Sequence, residues 1–446
     1  MATPTLLRTP FPCNHNKRMC CVTPPNEENS RLSKLPDYLV ESILERLPVH
    51  DAVRTSILSR DWRYKWTTMR SLVLDKHFSE KLPYTCRFYR DGFNKITNQL
   101  FNFLKGPILK LHLHIPKMTL DNTAQELHQW ILSLSSVREL VLTNLNSSYQ
   151  LSSSLFHCSQ LRKLQLTRFK FNSPLEFQGF LYLEHLSLER INFGANLCET
   201  VINLPQLKSL KLIICQHVNN FNISATKLKS LRVIGCETDM LLRLLHTQSL
   251  TTVHFAMLMP MLFERGLNLA TIFCNLPYHL ASLSMDGYFL KFSMPEENSK
   301  KWFPHAANRL KRLTLIEWNF GDLDQLEGAL YMLRNSTNLV RLDMTNLAMA
   351  PENMHLDVRP ALTYLEASDP FDQTLTLLKT IIIKCVTGSR PILLFIKLLL
   401  DHCPALEKIS IKYCATVGVH ERYNFAKDVT SFPRASSKAE LIFLDP

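Results

Sequence analysis

Apolar residues between Arg31 and Trp66 recur at helical spacing, and from Ile108 onward they settle into a second, shorter rhythm. In the first stretch Leu39, Val40, Ile43, Leu44 and Leu47 mark a helix that opens at Leu35–Pro36, where proline suits the first turn because its missing N–H has no partner there. Pro48 ends it, because the residue before a proline is pushed out of the helical region. Asp51 is expected to cap a second helix carrying Ala52, Val53, Ile57 and Leu58, and Ser59 a third carrying Trp62 and Trp66. Three helices in so short a segment cannot bury all these side chains among themselves. The first helix is apolar on two adjacent faces, so one can close a small core while the other awaits the rest of the chain or a partner.

Met69–Leu74 alternates like a strand, and Asp91–Leu104 returns to helical spacing through Phe93, Ile96, Leu100, Phe101 and Leu104 before Gly106-Pro107 stops it. A unit of the form apolar-x-x-apolar-x-apolar then begins at Ile108, Val137, Leu161, Leu183, Leu207, Leu228, Leu250, Leu280, Leu310, Leu339, Leu362, Leu378 and Leu406. Its mean spacing of about 25 residues lies within the 20–29 of leucine-rich repeats, although single steps are irregular. Each unit reads as one short strand plus a helix or loop that cannot hide its own apolar face; stacking the units makes a parallel sheet and one continuous core. Cys215, Cys236 and Cys414 fall three residues past the last apolar position of a unit, where a thiol is expected to be buried in the turn.

The polar positions between the apolar ones are expected to point away from that core, onto a concave face. They are Lys163, Gln165, His185, Lys211, Arg232, His254, Arg312, Arg341, Asp343, Tyr364 and Glu366, a mostly basic set and a candidate surface for a target. The longer steps between Leu250 and Leu339 leave room for larger connections, one of them Asp286–Phe303. Toward the end a strand at Leu378–Lys384, a helix at Pro391–His402 and a strand at Ala405–Tyr413 follow in turn.

Leu35-Pro36-Asp37, Ile43-Leu44-x-x-Leu47-Pro48, Asp51-Ala52-Val53-Arg54-Thr55-Ser56, Leu58-Ser59 and Trp62-Arg63-x-x-Trp66 resemble the F-box in its plant-type form. The resemblance implies docking to the Skp-type adaptor of a Skp–cullin–F-box ubiquitin ligase, and through it to cullin and RING subunits. Matched motif by motif, it assigns adaptor contact to Leu35, Pro36, Ile43, Leu44, Leu47, Pro48, Leu58 and Trp62. The closing strings Leu406-Glu407-Lys408-x-x-Ile411-Lys412 and Arg434-Ala435-Ser436-x-x-Ala439-Glu440-Leu441-Ile442-x-Leu444-Asp445-Pro446 resemble the FBD domain of plant F-box/leucine-rich-repeat proteins. The expected α/β architecture is an arm at 1–29, a three-helix F-box at 30–76, an irregular leucine-rich-repeat solenoid (a horseshoe) at 77–376, and an FBD-like α/β segment at 377–446 that closes its end.

Composition narrows the function. Glycine is scarce, at 11 residues of 446, and neither a G-x-x-x-x-G-K-[ST] nor a G-x-G-x-x-G string occurs, which weighs against phosphate-cradling loops. A net charge of +12 invites nucleic acid, but no Lys/Arg block occurs and the basic residues are interleaved with acidic ones, so it reads as solvated surface. Twelve cysteines show no C-x-x-C pair and no metal-ligand spacing, and Cys13, Cys20 and Cys21 lack a fourth ligand; no metal or cofactor is expected, and a reduced compartment, nucleus or cytoplasm, is. The arm is proline-rich and lacks a serine-rich amphipathic helix, so it reads as a flexible tail rather than a transit peptide. No apolar run approaches membrane-spanning length. With no G-x-S-x-G elbow, no H-E-x-x-H and no convincing Cys/His pair, and with Cys86 and Cys274 isolated, the expected role is a non-catalytic receptor subunit that binds a target protein for ubiquitination. A protein-interaction scaffold outside any ligase is the alternative.

Overall fold

A computed structural model describes residues 35–82, 90–117, 123–146, 149–174, 176–194, 201–236, 244–245, 247–257, 276–291, 309–347, 357–367 and 374–446. The N-terminal arm with its three cysteines, Cys86, Cys274 and most of the Asp286–Phe303 connection lie outside the described residues. The chain forms two compact units: one of residues up to Leu207 together with Cys215–Ser224, the other of Lys208–Ile214 together with Ala225–Pro446. This division falls inside the repeat stretch rather than at either of its ends.

The first unit opens with helix α1 (Asp37–Leu44), α2 (Val49–Arg54), a 3₁₀ turn (Thr55–Ile57) and a 3₁₀ helix (Asp61–Thr68). Pro48 stands at the N-terminus of α2, so Asp51 lies inside its first turn instead of capping it. Ser59 does serve the next helix: its Oγ accepts the Trp62 N–H at 3.3 Å. Two contacts tie the module to the helix behind it in the chain. Lys105 N–H donates to the Thr67 carbonyl at 2.8 Å, and the Trp66 and Phe103 rings meet edge-on at 6.1 Å.

Strands β1 (Ser71–Leu74), β2 (Lys110–Ile115), β3 (Glu139–Asn144), β4 (Lys163–Thr167) and β5 (His185–Glu189) then pair in parallel in chain order. Alternate residues are buried, as Leu111, Leu113 and Ile115 show, because the strand pleat sends neighbours to opposite faces. Parallel pairing demands a crossover. Helices α3 (Arg90–Phe103) and α4 (Thr123–Leu132) supply two of them, stacked through Phe101 and Trp130 at 5.9 Å. Later steps are too short for such helices, and Phe156, Phe171, Phe177, Phe180, Phe193 and Phe221 fill that side instead, with neighbouring ring centroids 4.7 to 5.8 Å apart.

The second unit continues the pattern with β6 (Ser209–Ile213), β7 (Ser230–Ile234), β8 (Thr252–Ala256), β9 (Ser282–Asp286), β10 (Arg312–Trp318), β11 (Arg341–Asn346), β12 (Thr380–Val386), β13 (Lys408–Tyr413) and β14 (Glu440–Leu444), all parallel in chain order. Helices α5 (Leu323–Asn335), α6 (Arg359–Ala367), α7 (Arg390–His402) and α8 (Val419–Ser431) pack side by side, each against its successor. Trp318, Phe320 and Phe395 form the aromatic heart of this unit, Phe395 meeting both other rings edge-on.

One repeat unit is corrected. Leu362, Leu365 and Ala367 belong to α6, not to a strand. Pro360 near its first turn and the Asp357 carboxylate, which accepts the Arg359 N–H at 3.1 Å, start a helix there. The closing string has a mechanical role. Ser436 Oγ donates to the Leu406 carbonyl at 2.6 Å, the Ala435 N–H to the Leu400 carbonyl at 2.9 Å, and β14 is thereby seated on β13. Cys215 and Cys236 are buried as expected, but Cys414 is only half-buried and accepts a hydrogen bond from the Thr416 hydroxyl at 3.3 Å. No helix among the described residues is long and apolar enough to cross a membrane.

Candidate functional site: an apolar module face and two strand faces

Helix α1 resolves its two apolar stripes. Val40 and Leu44, four apart, turn inward with Val49, Ala52, Trp62 and Trp66. Leu39 and Ile43, also four apart, lie in solvent, joined by Tyr38, Tyr64, Ile57 at 80% exposure and Leu58 at 54%. These large apolar groups stand outside the buried core of the module. An exposed Asp37–Lys65 pair at 2.5 Å links α1 to the 3₁₀ helix beneath.

Among the eight residues assigned to adaptor contact, Pro36, Ile43, Pro48 and Leu58 are exposed, and Leu35 and Leu47 half-buried. Leu44 and Trp62 are corrected: at 0% and 4% exposure they hold the core of the module and present nothing to a partner. Tyr38, Leu39, Ile57 and Tyr64 join the exposed face although no motif assigned them to it. The i, i+4 relation of Leu39 to Ile43 is the sequence signal for one of them.

The outward positions of the strands line up by register, one strand apart, about 4.8 Å. In the first unit Lys110, Glu139, Lys163 and His185 form one row, with His112 and Gln165 in the next. Glu139 is the hub: Lys163 Nζ lies 2.8 Å away, His112 Nε2 2.9 Å and Lys110 Nζ 3.7 Å. Burial alone pushes its carboxyl up, but the hydrogen bonds from Lys163 and His112 and the charges of Lys163 and Lys110 outweigh that and hold it at about 2.

In the second unit Ser209, Ser230, Thr252, Ser282, Arg312 and Arg341 form one row, and Lys211, Arg232, His254, Ser284, Thr314 and Asp343 the next. At its far end Asp343 accepts from Arg312 at 2.6 Å and from Arg341 at 3.0 Å. At the near end His254 is buried, and burial together with Arg232 and Lys211 lowers its imidazole to about 4, so it is neutral at pH 7. Tyr364 and Glu366 do not belong to this face. They ride on α6 in the helix layer, where Tyr364 Oη accepts from Arg334 at 3.5 Å and Glu366 pairs with Arg390 at 2.6 Å.

Among the described residues no group of His, Cys, Asp and Glu could hold a metal ion. Burial pushes the Cys158 and Cys403 thiols up to about 11 and about 12, which keeps both protonated at neutral pH.

Comparison with known proteins matches this geometry. A family model described as F-box domain matches residues 32–74, and one described as FBD-associated F-box protein At5g56370, LRR repeats, matches residues 127–267. The F-box/FBD/LRR-repeat protein At1g13570 of Arabidopsis thaliana is 30% identical over 93% of this chain and 98% of its own length. Two further Arabidopsis thaliana proteins match in part: the F-box protein At5g03100 at 28% identity over 46% of this chain and 63% of its own, and the FBD-associated F-box protein At3g52670 at 27% over 48% and 56%. A solved plant peptide hormone receptor, RGFR1 in complex with RGF2, aligns over 76% of this chain and 47% of its own at 13% identity, with a TM-score of 0.27, a likeness too slight to build on.

Proposed function

Because the chain belongs to the F-box/FBD/LRR-repeat family, we propose that it is the substrate-recognition subunit of a Skp–cullin–F-box ubiquitin ligase. The N-terminal module docks the Skp-type adaptor, and the outward strand faces hold a target protein. One observation carries the reading: α1 spends one apolar stripe, Val40 and Leu44, on its own core and leaves a second, Leu39 and Ile43, in water beside Ile57 and Leu58. The chain then supplies no reacting group. It raises the effective concentration of the target's lysine near a ubiquitin-loaded enzyme, an entropic contribution that needs positioning only.

Co-expression of the full chain with a Skp-type adaptor tests it. A one-to-one complex that survives high salt is expected, since apolar contact is little screened. Leu39→Asp with Ile43→Asp should weaken it by about 100-fold or more, the loss typical of central interface residues. No complex from the full chain would put the scaffold reading first.

A further inference from the structure

Strand β14 bonds to β13 and, among the described residues, to no other strand. A parallel ladder bonds alternate residues of a strand on one side. The Glu440 N–H donates to the Glu407 carbonyl at 3.0 Å, so Glu440, Ile442 and Leu444 turn their backbone groups to β13. The N–H and C=O groups of Leu441 and Phe443 then point the other way, along an open edge.

The side chains around that edge are apolar on every side. On the core face Leu441 and Phe443 stand beside Ile409 and Ile411; the two isoleucines are fully buried, whereas Leu441 and Phe443 are only half-buried. On the outward face Ile442 and Leu444 take the places that Ser410 and Lys412 hold on β13, with Leu444 at 45% exposure. Helix α8 turns Glu421, Asn424 and Asp428 toward α7. Val419 and Tyr423, four apart on a different side of α8, stand in solvent at 77% and 69% exposure. Edge strands are ordinarily blunted by a charge, a proline or a bulge, and the outer face of a terminal repeat is ordinarily polar. The run Leu441–Leu444 has none of these devices.

The edge is complementary to itself. A two-fold axis through Ile442, perpendicular to the sheet, lays β14 antiparallel on β14 of another copy. Leu441 of each copy then meets Phe443 of the other, and each such pair exchanges two backbone hydrogen bonds, so every free group of both residues is used once. Ile442 meets itself, and Glu440 faces Leu444, so no like charges oppose each other. The core faces stay on one side of the joined sheet, where Leu441 and Phe443 of the two copies complete each other's burial.

We propose that this end of the second unit is a dimer interface in which β14 pairs antiparallel with β14 of a second copy of the chain. This goes beyond the ligase reading and does not depend on it.

Sedimentation of the full chain alone, over about 1–100 μM, tests the proposal. The contact is small, so a monomer–dimer equilibrium within that range is expected. Ile442→Lys and Ile442→Glu should each weaken it by at least about tenfold, because each places two like charges face to face on the axis. An equimolar mixture of the two variants should regain the dimer, since lysine then meets glutamate. Tyr423→Ala, at an exposed helix position, should weaken association without touching the strand. Leu39→Asp with Ile43→Asp, in the N-terminal module, should leave it intact. An unchanged thermal midpoint verifies that each variant is folded. A monomer at every concentration overturns the proposal, as does association that survives either charge at position 442. Loss of association in the module double variant overturns it in favour of pairing through that module. Failure of the mixture to restore the dimer overturns the two-fold register.

Discussion

The Glu139 carboxylate gathers Lys110, His112 and Lys163 around itself, so its titration reports on the whole strand face of the first unit. Its folded value of about 2 lies below the ordinary 4.5. A depressed carboxyl contributes stability above its unfolded value and loses it as pH falls through the folded one. Glu139→Gln should therefore cost on the order of 2 kcal/mol at pH 7, allowing for screening of a side chain one quarter exposed, and the gap from the parent should close between pH 4.5 and 2 in urea unfolding. His254 acts over a different range. Its folded value of about 4 lies below 6.5, so the unfolded chain binds the extra proton, and stability present above pH 6.5 drains away toward pH 4. His254→Gln should flatten the thermal midpoint between those values; an unchanged slope would show that the imidazole is not held neutral. The residues of this hub and of the second unit's strand face are legible singly in the sequence, as polar positions between leucines. Their grouping is not, because it depends on register between strands about 25 residues apart in the chain.

Helix α1 separates two kinds of leucine that the sequence writes alike. Leu44→Ala should destabilise the module by about 2–5 kcal/mol, since it opens a cavity in a finished core. Leu39→Ala and Ile43→Ala should leave the unfolding transition within about 0.5 kcal/mol and act on adaptor affinity instead. Periodicity finds both stripes but has no means of ranking them, and so motif matching alone turns Leu44 and Trp62 outward. The same limit explains α6. Leu362, Leu365 and Ala367 satisfy the strand template, yet so short an apolar run fits either period, and Pro360 decides for helix. Close packing gives another element-scale test. A Cβ on Gly328 of α5 would stand 2.6 Å from the Leu290 backbone oxygen. Gly328→Ala should thus lower stability by about 1–3 kcal/mol, although alanine is about 1 kcal/mol the better helix former; urea midpoints decide the sign.

At the scale of the molecule, the repeat rhythm makes the parallel strands of both units legible, and the closing string announces a final segment whose Ser436 and Ala435 bonds seat the last strand. The division into two units leaves no mark on that rhythm, because the leucine pattern passes through it unchanged. The two strand faces differ in their charge balance. The first unit's face answers its lysines with Glu139, whereas among the described residues the second unit's face sets no carboxylate against Lys211 and Arg232. A single overall charge conceals that difference.

Within each unit the main-sheet strands bond in the order in which the ribosome makes them. Such a sheet needs no distant segment to wait for; each strand is laid on an edge completed a second or a few seconds earlier, at translation rates of about 5–20 residues per second. The three-helix module is made before any of these strands: Val40, Leu44, Trp62 and Trp66 all lie within it, α2 packs on β1, the first strand to follow, and Phe103 and Lys105 come close behind. Its apolar face is thus folded and exposed to water while most of the chain is still being synthesised. Early capture by a partner would shield that face from aggregation while the nascent chain is most vulnerable.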